Sequence, residues 1–233
     1  MHRLAGALAH TWGRAIAHYG RWSLQHSRVS REGFTDLPGG PVIWTGWHAT
    51  NLIALAVYPQ LQREHTCLAF VVPTLAGETM RAWLDTSGCF EAVLLQQDAL
   101  SNPKIALRQM SQALGRGRDV VIAVDGPHGP AGRVRPGALW LARLTGCPIV
   151  PAAFAARPAI RAPRWDQQIV PLPGARIAAV FGSPILVERR TSIEGPVLDD
   201  LAEALKGTTR RAWALVDDPA ALIDTPYTTK PAR

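Results

Sequence analysis

Residues 120–130 read VVIAVDGPHGP, and this stretch decides the fold class. Its first part, Val120–Val124, is a short apolar run of the kind found in strands that are buried on both faces of a sheet. The polar turn Asp125–Pro130 follows at once, and its two Gly-Pro units end the strand and stiffen the loop. In a parallel sheet, ligands bind outside the carboxyl ends of the strands. The stretch therefore predicts such a sheet, with a candidate site directly after residue 124.

Strand-like and helix-like segments alternate on both sides of this stretch. Strands alternating with helices of 10–15 residues indicate a largely parallel sheet covered on both faces. We predict the α/β class, a single domain over residues 35–216 with a largely parallel central sheet flanked by helices, an N-terminal helix within residues 1–30, and a loose tail over 217–233. The predicted strands are 42–45, 66–72, 90–95, 120–124, 149–154 and 176–181, and the predicted helices 51–62, 78–86, 104–115, 137–144 and 197–215.

The composition supports a folded core and a basic surface. The chain has 233 residues, of which 47% are apolar and 18% charged, and its formal net charge is +7. Such values exclude disorder as the main state and favour anionic partners, which include nucleic acid, an acidic membrane face and a phosphorylated or acidic substrate.

The three cysteines lie far apart, at Cys67, Cys89 and Cys147, without a C-x-x-C pair. Their number and spacing argue against a disulfide scaffold and a cysteine-built zinc site, so we expect a reducing compartment and no metal. Residues 37–62 contain no Lys, Arg, Asp or Glu and are long enough to span a bilayer. Because polar residues occupy the middle of that stretch, we expect a strand, a turn and a buried helix there.

Apolar residues recur at steps of three and four near the N-terminus, opposite several basic residues. A basic amphipathic helix with tryptophan on its apolar face is typical of binding to a membrane surface, but the same stripe can pack on a core. Both interpretations stay open from the sequence. The apolar stripe is Leu4, Leu8, Trp12, Ala15, Ile16, Tyr19 and Trp22, and the opposite face carries Arg3, His10, Arg14 and Arg21.

His48 follows one predicted strand, and the Asp125–Pro130 turn follows another. Both should therefore lie on the same edge of the sheet. A neutral imidazole there can take a proton from a hydroxyl, although a lone histidine can equally be a structural residue. The turn, with open amides at Gly126 and Gly129 and with His128, can hold a phosphate, or can simply be a tight connection.

Two arginines continue the candidate phosphate site, Arg133 and Arg135, and their spacing places them on one face of an extended segment. No serine-nucleophile elbow, phosphate-binding P-loop, dinucleotide fingerprint or H-E-x-x-H zinc motif is found in the sequence. Short basic pairs occur without a helix-turn-helix, RNP or zinc-finger pattern. We therefore expect no nucleic-acid partner.

Several motifs, taken in their order along the chain, resemble the lysophospholipid acyltransferase superfamily. In particular, the chain resembles a divergent member of a bacterial branch long known as a domain of unknown function. The resemblance covers about residues 35–190 and is most specific over 120–152. It is carried by Trp47-His48, Asp125–Pro130, Arg135–Ala142, Gly146–Pro151, Trp165-Asp166, Pro171–Pro173 and Phe181–Ile185.

This resemblance implies a glycerolipid-acyltransferase-like fold and an O-acyltransferase that moves an acyl chain from a thioester to a lipid hydroxyl. His48 would be the general base, the Asp125–Pro130 turn would bind the phosphate of a lysophospholipid acceptor, and Pro148–Pro151 would shape the acyl pocket. The donor would be acyl-CoA or acyl carrier protein, with no bound cofactor. The expected location is peripheral, on an anionic membrane surface at the cytoplasmic face of the inner membrane.

The chain departs from the family pattern at the site. The superfamily usually has Asp five residues after the histidine, where this chain has Ile53. Asp125 is then one candidate partner for His48. His128 stands where the branch commonly has Arg, so Arg133 or Arg135 is expected to replace that cation. These departures leave a second interpretation open, a catalytically inactive lipid-binding or envelope-assembly protein on the same fold.

Overall fold

The computed structural model describes residues 26–218 apart from residues 34, 36, 62, 96–101 and 128, together with residues 7, 11–15, 18–20, 22 and 23. These residues contain five helices with defined bounds and a seven-stranded sheet. The strands are β1 (Arg28–Glu32), β2 (Ile43–Gly46), β3 (Cys67–Val71), β4 (Phe90–Leu94), β5 (Asp119–Ala123), β6 (Ile149–Arg161) and β7 (Ile169–Phe181). The helices are α1 (Asn51–Val57), α2 (Leu75–Asp85), α3 (Pro103–Gly115), α4 (Gly137–Thr145) and α5 (Pro196–Asp217).

The sheet has the order β1-β7-β6-β2-β5-β3-β4. All neighbouring strands are parallel except β6 and β7, which form an antiparallel pair. After each of the parallel strands β2 to β5, a helix carries the chain back to the edge of the sheet where the next strand begins. The carboxyl ends of β2 to β6 therefore lie together at the other edge. The predicted α/β class and largely parallel sheet are confirmed.

Two apolar layers cover the sheet. On one face, Ile53 and Val57 of α1 pack against the strands. On the other face, α3 and α4 contribute the buried Leu114 and Leu139, while α5 covers β6 and β7 through residues such as Leu215. Successive side chains of a strand point to opposite faces of the sheet, so each strand contributes residues to both layers.

The structure differs from the sequence-based prediction in several segments, chiefly the following. The helix expected over 51–62 ends at Val57 and continues as a 3₁₀ turn over Tyr58–Leu61, because Pro59 has no amide hydrogen for an α-helical bond. Strands β6 and β7 extend well beyond the predicted ranges and form a long hairpin. Strand β1 was not predicted, because its sequence Arg-Val-Ser-Arg-Glu is mostly polar, as suits an edge strand.

A buried carboxylate holds the amino end of the central strand β5. Asp119 is fully buried and accepts hydrogen bonds from the Val42 amide at 2.9 Å, the Trp44 indole at 3.0 Å and the Tyr58 hydroxyl at 2.8 Å. The Arg63 guanidinium completes the cluster, with its Nε 2.8 Å from Asp119 Oδ2. Burial raises the pKa of Tyr58 well above its ordinary range, so its hydroxyl stays a donor.

The described residues near the N-terminus are helical over 11–15, 18–20 and 22–23. They pack on α2 through glycine: a methyl group on Gly13 would lie 2.4 Å from the Thr79 carbonyl oxygen. The tryptophans of the predicted stripe point away from this contact, with Trp12 64% and Trp22 42% exposed. The helix therefore docks by its small residues and leaves these tryptophans in solvent. Three of the stripe residues, Leu4, Leu8 and Ile16, lie outside the described residues, as does the tail from residue 219.

We predict that Asp119→Asn lowers the free energy of unfolding by about 3–5 kcal/mol, because it leaves the Arg63 charge buried without its counter-ion. Chemical denaturation measures the change. The matched control is Asp85→Asn, which removes an exposed carboxylate 3.8 Å from Arg81 and should cost less than about 1 kcal/mol. Equal losses for the two variants would contradict a stabilising role for the Asp119 cluster.

Candidate active site

His48 lies where β2 ends and opens a 3₁₀ turn over His48–Thr50. Its backbone amide donates to Asp125 Oδ1 at 2.9 Å, and the preceding Trp47 anchors its indole on Thr209 Oγ1 of α5 at 3.0 Å. The main chain on both sides of the imidazole is thus fixed by contacts to other elements. The ring itself stays accessible, with 24% of the side chain exposed.

A carboxylate contacts the imidazole directly, and it belongs to Asp166. The His48 Nδ1 lies 2.8 Å from Asp166 Oδ2, and the carboxylate is fully buried. An ionised carboxylate only accepts hydrogen bonds, so Nδ1 carries the proton that is donated to it. The Nε2 lone pair is then left to accept a proton from another molecule. A histidine that a carboxylate holds in one tautomer in this way can act chemically as a base.

The loop between β6 and β7 delivers Asp166 to the site. The Gln168 side-chain amide in this loop donates to the Ala49 carbonyl at 2.9 Å, which ties the loop to the turn that carries His48. Trp165 packs its ring 5.0 Å from the imidazole, centroid to centroid. The second oxygen of Asp166 has an exposed guanidinium, Arg164 Nε, at 3.4 Å, a charge contact without hydrogen-bond geometry.

Asp125 lies beside His48 as predicted, but its carboxylate contacts main chain. Oδ1 accepts from the His48 amide and Oδ2 from the Gly132 amide, at 2.9 and 3.0 Å. The ring's carboxylate partner is Asp166, which the sequence pattern did not predict for that role. Asp125 instead joins the His48 turn to the turn that follows β5.

The two glycines of the turn after β5 allow aromatic rings to pack closely against its backbone. The Gly126 amide donates to the Ala123 carbonyl and the Gly129 amide to the Asp125 carbonyl, both at 3.1 Å. The prediction of open amides is therefore wrong for these two residues. A methyl group on Gly126 would lie 2.9 Å from His48 Cδ2, and one on Gly129, whose φ is +72°, would lie 2.8 Å from Trp165 Cε3. Their missing side chains leave room for the two rings.

The two arginines after the turn differ in their contacts. Val134 is buried between them, while Arg133 and Arg135 are both exposed, as the spacing predicts for an extended segment. The Arg135 guanidinium donates to the Gly129 carbonyl and supports the turn. For Arg133, no side-chain bond is found within the described part of the chain. His128 lies outside the described residues.

A narrow apolar cavity of about 40 Å³ lies under α1, next to the site. Gly46, Trp47 and Thr50, which flank His48 in the chain, are among its lining residues. Residues Pro148–Pro151, expected to shape such a pocket, do not line it; Ala152 and Phe154 of the same strand do. Further lining residues are Trp44, Ala54, Leu55, Leu61, Phe90, Val121 and Phe181.

A larger concavity of about 570 Å³ lies against α5, and two of its three arginines are already engaged. Arg157 pairs with Asp217 at 2.5 Å, and Arg176 donates to the Val216 carbonyl at 2.9 Å. Both contacts satisfy the carboxyl end of α5, where cations are favourable. We therefore place the candidate site at His48 and not in this larger concavity.

No protein-family model matches the chain. An uncharacterised protein of Rickettsia prowazekii (strain Madrid E) is 28% identical over 183 residues, which cover 76% of this chain and 79% of that protein. Among solved structures, the 1-acyl-sn-glycerophosphate acyltransferase PlsC from Thermotoga maritima is similar, with a TM-score of 0.53 and 19% identity over 84% of this chain and 78% of that one. The fold is thus similar to that of a PlsC acyltransferase. This likeness supports the acyltransferase-like fold expected from the sequence motifs.

We predict that Asp166→Asn changes the tautomer of His48, since an amide can donate to Nδ1 as well as accept from it. Nitrogen chemical shifts of the protein labelled with ¹⁵N-histidine report which ring nitrogen carries the proton. Arg164→Gln is the matched control, because it removes the neighbouring charge and leaves the His48–Asp166 contact in place. Identical His48 shifts in wild type and Asp166→Asn would show that the carboxylate does not set the tautomer.

Proposed function

We propose that the protein is an O-acyltransferase that moves an acyl chain from a thioester to a hydroxyl of a lysophospholipid or similar lipid. The observation that carries this proposal is the His48–Asp166 pair, 2.8 Å apart, at the carboxyl edge of a PlsC-like sheet and beside an apolar cavity. A base held by a buried acid is what activation of a hydroxyl requires. The cavity offers an apolar surface next to that base.

In the proposed reaction, Nε2 of His48 takes the proton of the acceptor hydroxyl while the hydroxyl oxygen attacks the thioester carbonyl carbon. The resulting imidazolium is stabilised by the Asp166 carboxylate on Nδ1. When the tetrahedral intermediate collapses, the C–S bond breaks and the thiolate takes the proton from the imidazolium. An ester and a free thiol are formed, and His48 returns to its neutral state.

The acyl chain would enter the cavity under α1. Its lining is mainly apolar, and it includes residues adjacent to His48. A volume of about 40 Å³ accepts only the end of an alkyl chain, so a long chain requires α1 to move away from β2 and β5. We infer that donor binding includes this displacement.

Both substrates carry phosphate in the proposed reaction. Acyl-CoA or acyl carrier protein is the donor, and no bound cofactor is needed because the thioester arrives already activated. Arg133 is the exposed cation after the β5 turn whose side chain is not used to hold that turn, so we assign it the acceptor's headgroup phosphate. Arg135 and the glycines 126 and 129 act by shaping the turn, with His128 as a secondary contact.

We place the reaction at the cytoplasmic face of the inner membrane, with the N-terminal helix as a peripheral anchor. Trp12 and Trp22 are exposed although they are large and apolar, and such residues favour the lipid–water interface. Within the described residues, no helix is long and apolar enough to cross a membrane.

The alternative of an inactive lipid-binding protein rested on the departures from the family pattern, which include the missing Asp at position 53 and the missing Arg at position 128. The ring of His48 nevertheless has a buried carboxylate partner, supplied from the β6–β7 loop. The argument from the missing Asp is therefore removed, and we favour the enzyme.

We predict that His48→Ala lowers the acyl-transfer rate roughly 100- to 10,000-fold, which is the usual contribution of a general base. The assay follows thiol release from palmitoyl-CoA, or from palmitoyl acyl carrier protein, with lysophosphatidic acid in mixed micelles. His65→Ala, at the opposite edge of the sheet, is the control and should keep the wild-type rate. If His48→Ala is as active as wild type, His48 is a structural residue and the proposed mechanism fails.

We predict that Arg133→Ala raises the KM for lysophosphatidic acid roughly tenfold with little change in kcat, since it removes a charged contact to the headgroup. Monoacylglycerol, which has no phosphate, should show no such dependence. Arg135→Ala tests the other arginine and should instead lower stability. An unchanged KM in Arg133→Ala together with a raised KM in His128→Ala would reverse the assignment.

A further inference from the structure

We infer that the tip of the β6–β7 hairpin is a second membrane contact, which binds anionic lipid beside the candidate active site. This inference deepens the proposed function and rests on its membrane location. The tip consists of residues 160–165, with the sequence Ile-Arg-Ala-Pro-Arg-Trp. It lies on the carboxyl side of the sheet, directly before Asp166.

The tip exposes several large apolar side chains close together in the sequence. Ile160 is 56% and Trp165 38% exposed, and Pro163 between them is exposed as well. An isoleucine and a tryptophan separated by a proline turn present apolar area that the rest of the domain leaves uncovered. Tryptophan at such a place favours the interfacial layer of a bilayer.

The charge around the tip fits an anionic surface. Of the four arginines within residues 157–176, Arg157 and Arg176 are engaged at the carboxyl end of α5, which leaves the two in the tip. The one acidic residue in this range is the buried Asp166. Arg161 and Arg164 lie within the tip itself, and both are exposed. Arginine next to apolar anchors can bury its stem and direct its guanidinium to lipid phosphate. The partner is therefore a bilayer with anionic lipid.

The hairpin also adjoins the N-terminal helix that was assigned to the membrane. The Tyr19 hydroxyl donates to the Pro171 carbonyl at 2.7 Å, and Pro171 pairs with Ala159, the residue before Ile160. Because Asp166 follows the tip and holds His48, a lipid seated on the tip has its headgroup close to the base. A membrane-bound acceptor would then reach the site without leaving the bilayer surface.

The test is cosedimentation of the full-length protein with vesicles of phosphatidylcholine, with and without phosphatidylglycerol. Ile160→Glu should lower the partition coefficient on mixed vesicles roughly tenfold, or about 1.4 kcal/mol, and Arg161→Glu should lower it only where phosphatidylglycerol is present. Leu186→Glu is the matched control. Leu186 is 73% exposed and follows Ile185, which pairs with the first residue of β6 at the opposite edge of the sheet. The Leu186→Glu variant should bind mixed vesicles as strongly as the wild type does.

If Ile160→Glu and Arg161→Glu bind as wild type while Trp12→Ser/Trp22→Ser does not, the hairpin inference is overturned and the helix alone is the anchor. If Leu186→Glu loses binding to the same extent as Ile160→Glu, the effect is nonspecific and the inference is likewise overturned. Thiol release with lysophosphatidic acid dispersed in detergent separates this result from the proposed activity, because Ile160→Glu should keep that rate. A wild type that releases no thiol would overturn the activity and leave the vesicle result to stand on its own.

Discussion

Two buried carboxylates fix the central strand pair on which the molecule depends. Asp119 begins β5 and Asp125 follows its end, and each accepts the amide hydrogen of a residue that flanks β2, Val42 on one side and His48 on the other. The two bonds enclose the β2–β5 ladder and allow only one register between these strands. A slip of one residue would break both bonds and would turn the side chains of β2 to the other face.

The same constraint sets the position of the candidate base. The His48 amide is held by Asp125, and its ring is held by Asp166 from a different part of the chain. The position five residues after His48, where the resembled family usually has its acid, is Ile53, which is 1% exposed and belongs to the core. A charged residue there would lie in that core, so this chain keeps α1 apolar on its inner face and takes the acid from the hairpin.

The sequence was informative where local patterns carry the structure. The apolar run Val120–Val124 and the turn after it predicted the parallel sheet and the edge at which His48 lies. Asp166 could not be found in this way, because it is 118 residues from His48 and meets it only through the long antiparallel extension of β6 and β7. The extension itself contains Pro158 and several arginines, which hide its strand pattern. The one available signal was the Trp-Asp pair at 165–166, which belongs to the resembled motifs but carries no role by its spacing.

Asp166 comes from a two-stranded extension of the sheet. The stability of the site can therefore differ from that of the whole domain. Most of the core lies in the parallel sheet and its helices, whereas the loop over 162–168 is tied to the His48 turn by Gln168 and by the carboxylate itself. Segments with few buried contacts open at a lower free energy than the whole domain. Opening of this loop alone would free the imidazole to change tautomer while the sheet stays folded. The chemistry of the site would then depend on a local equilibrium, and anything that binds the loop would shift that equilibrium in favour of the assembled pair.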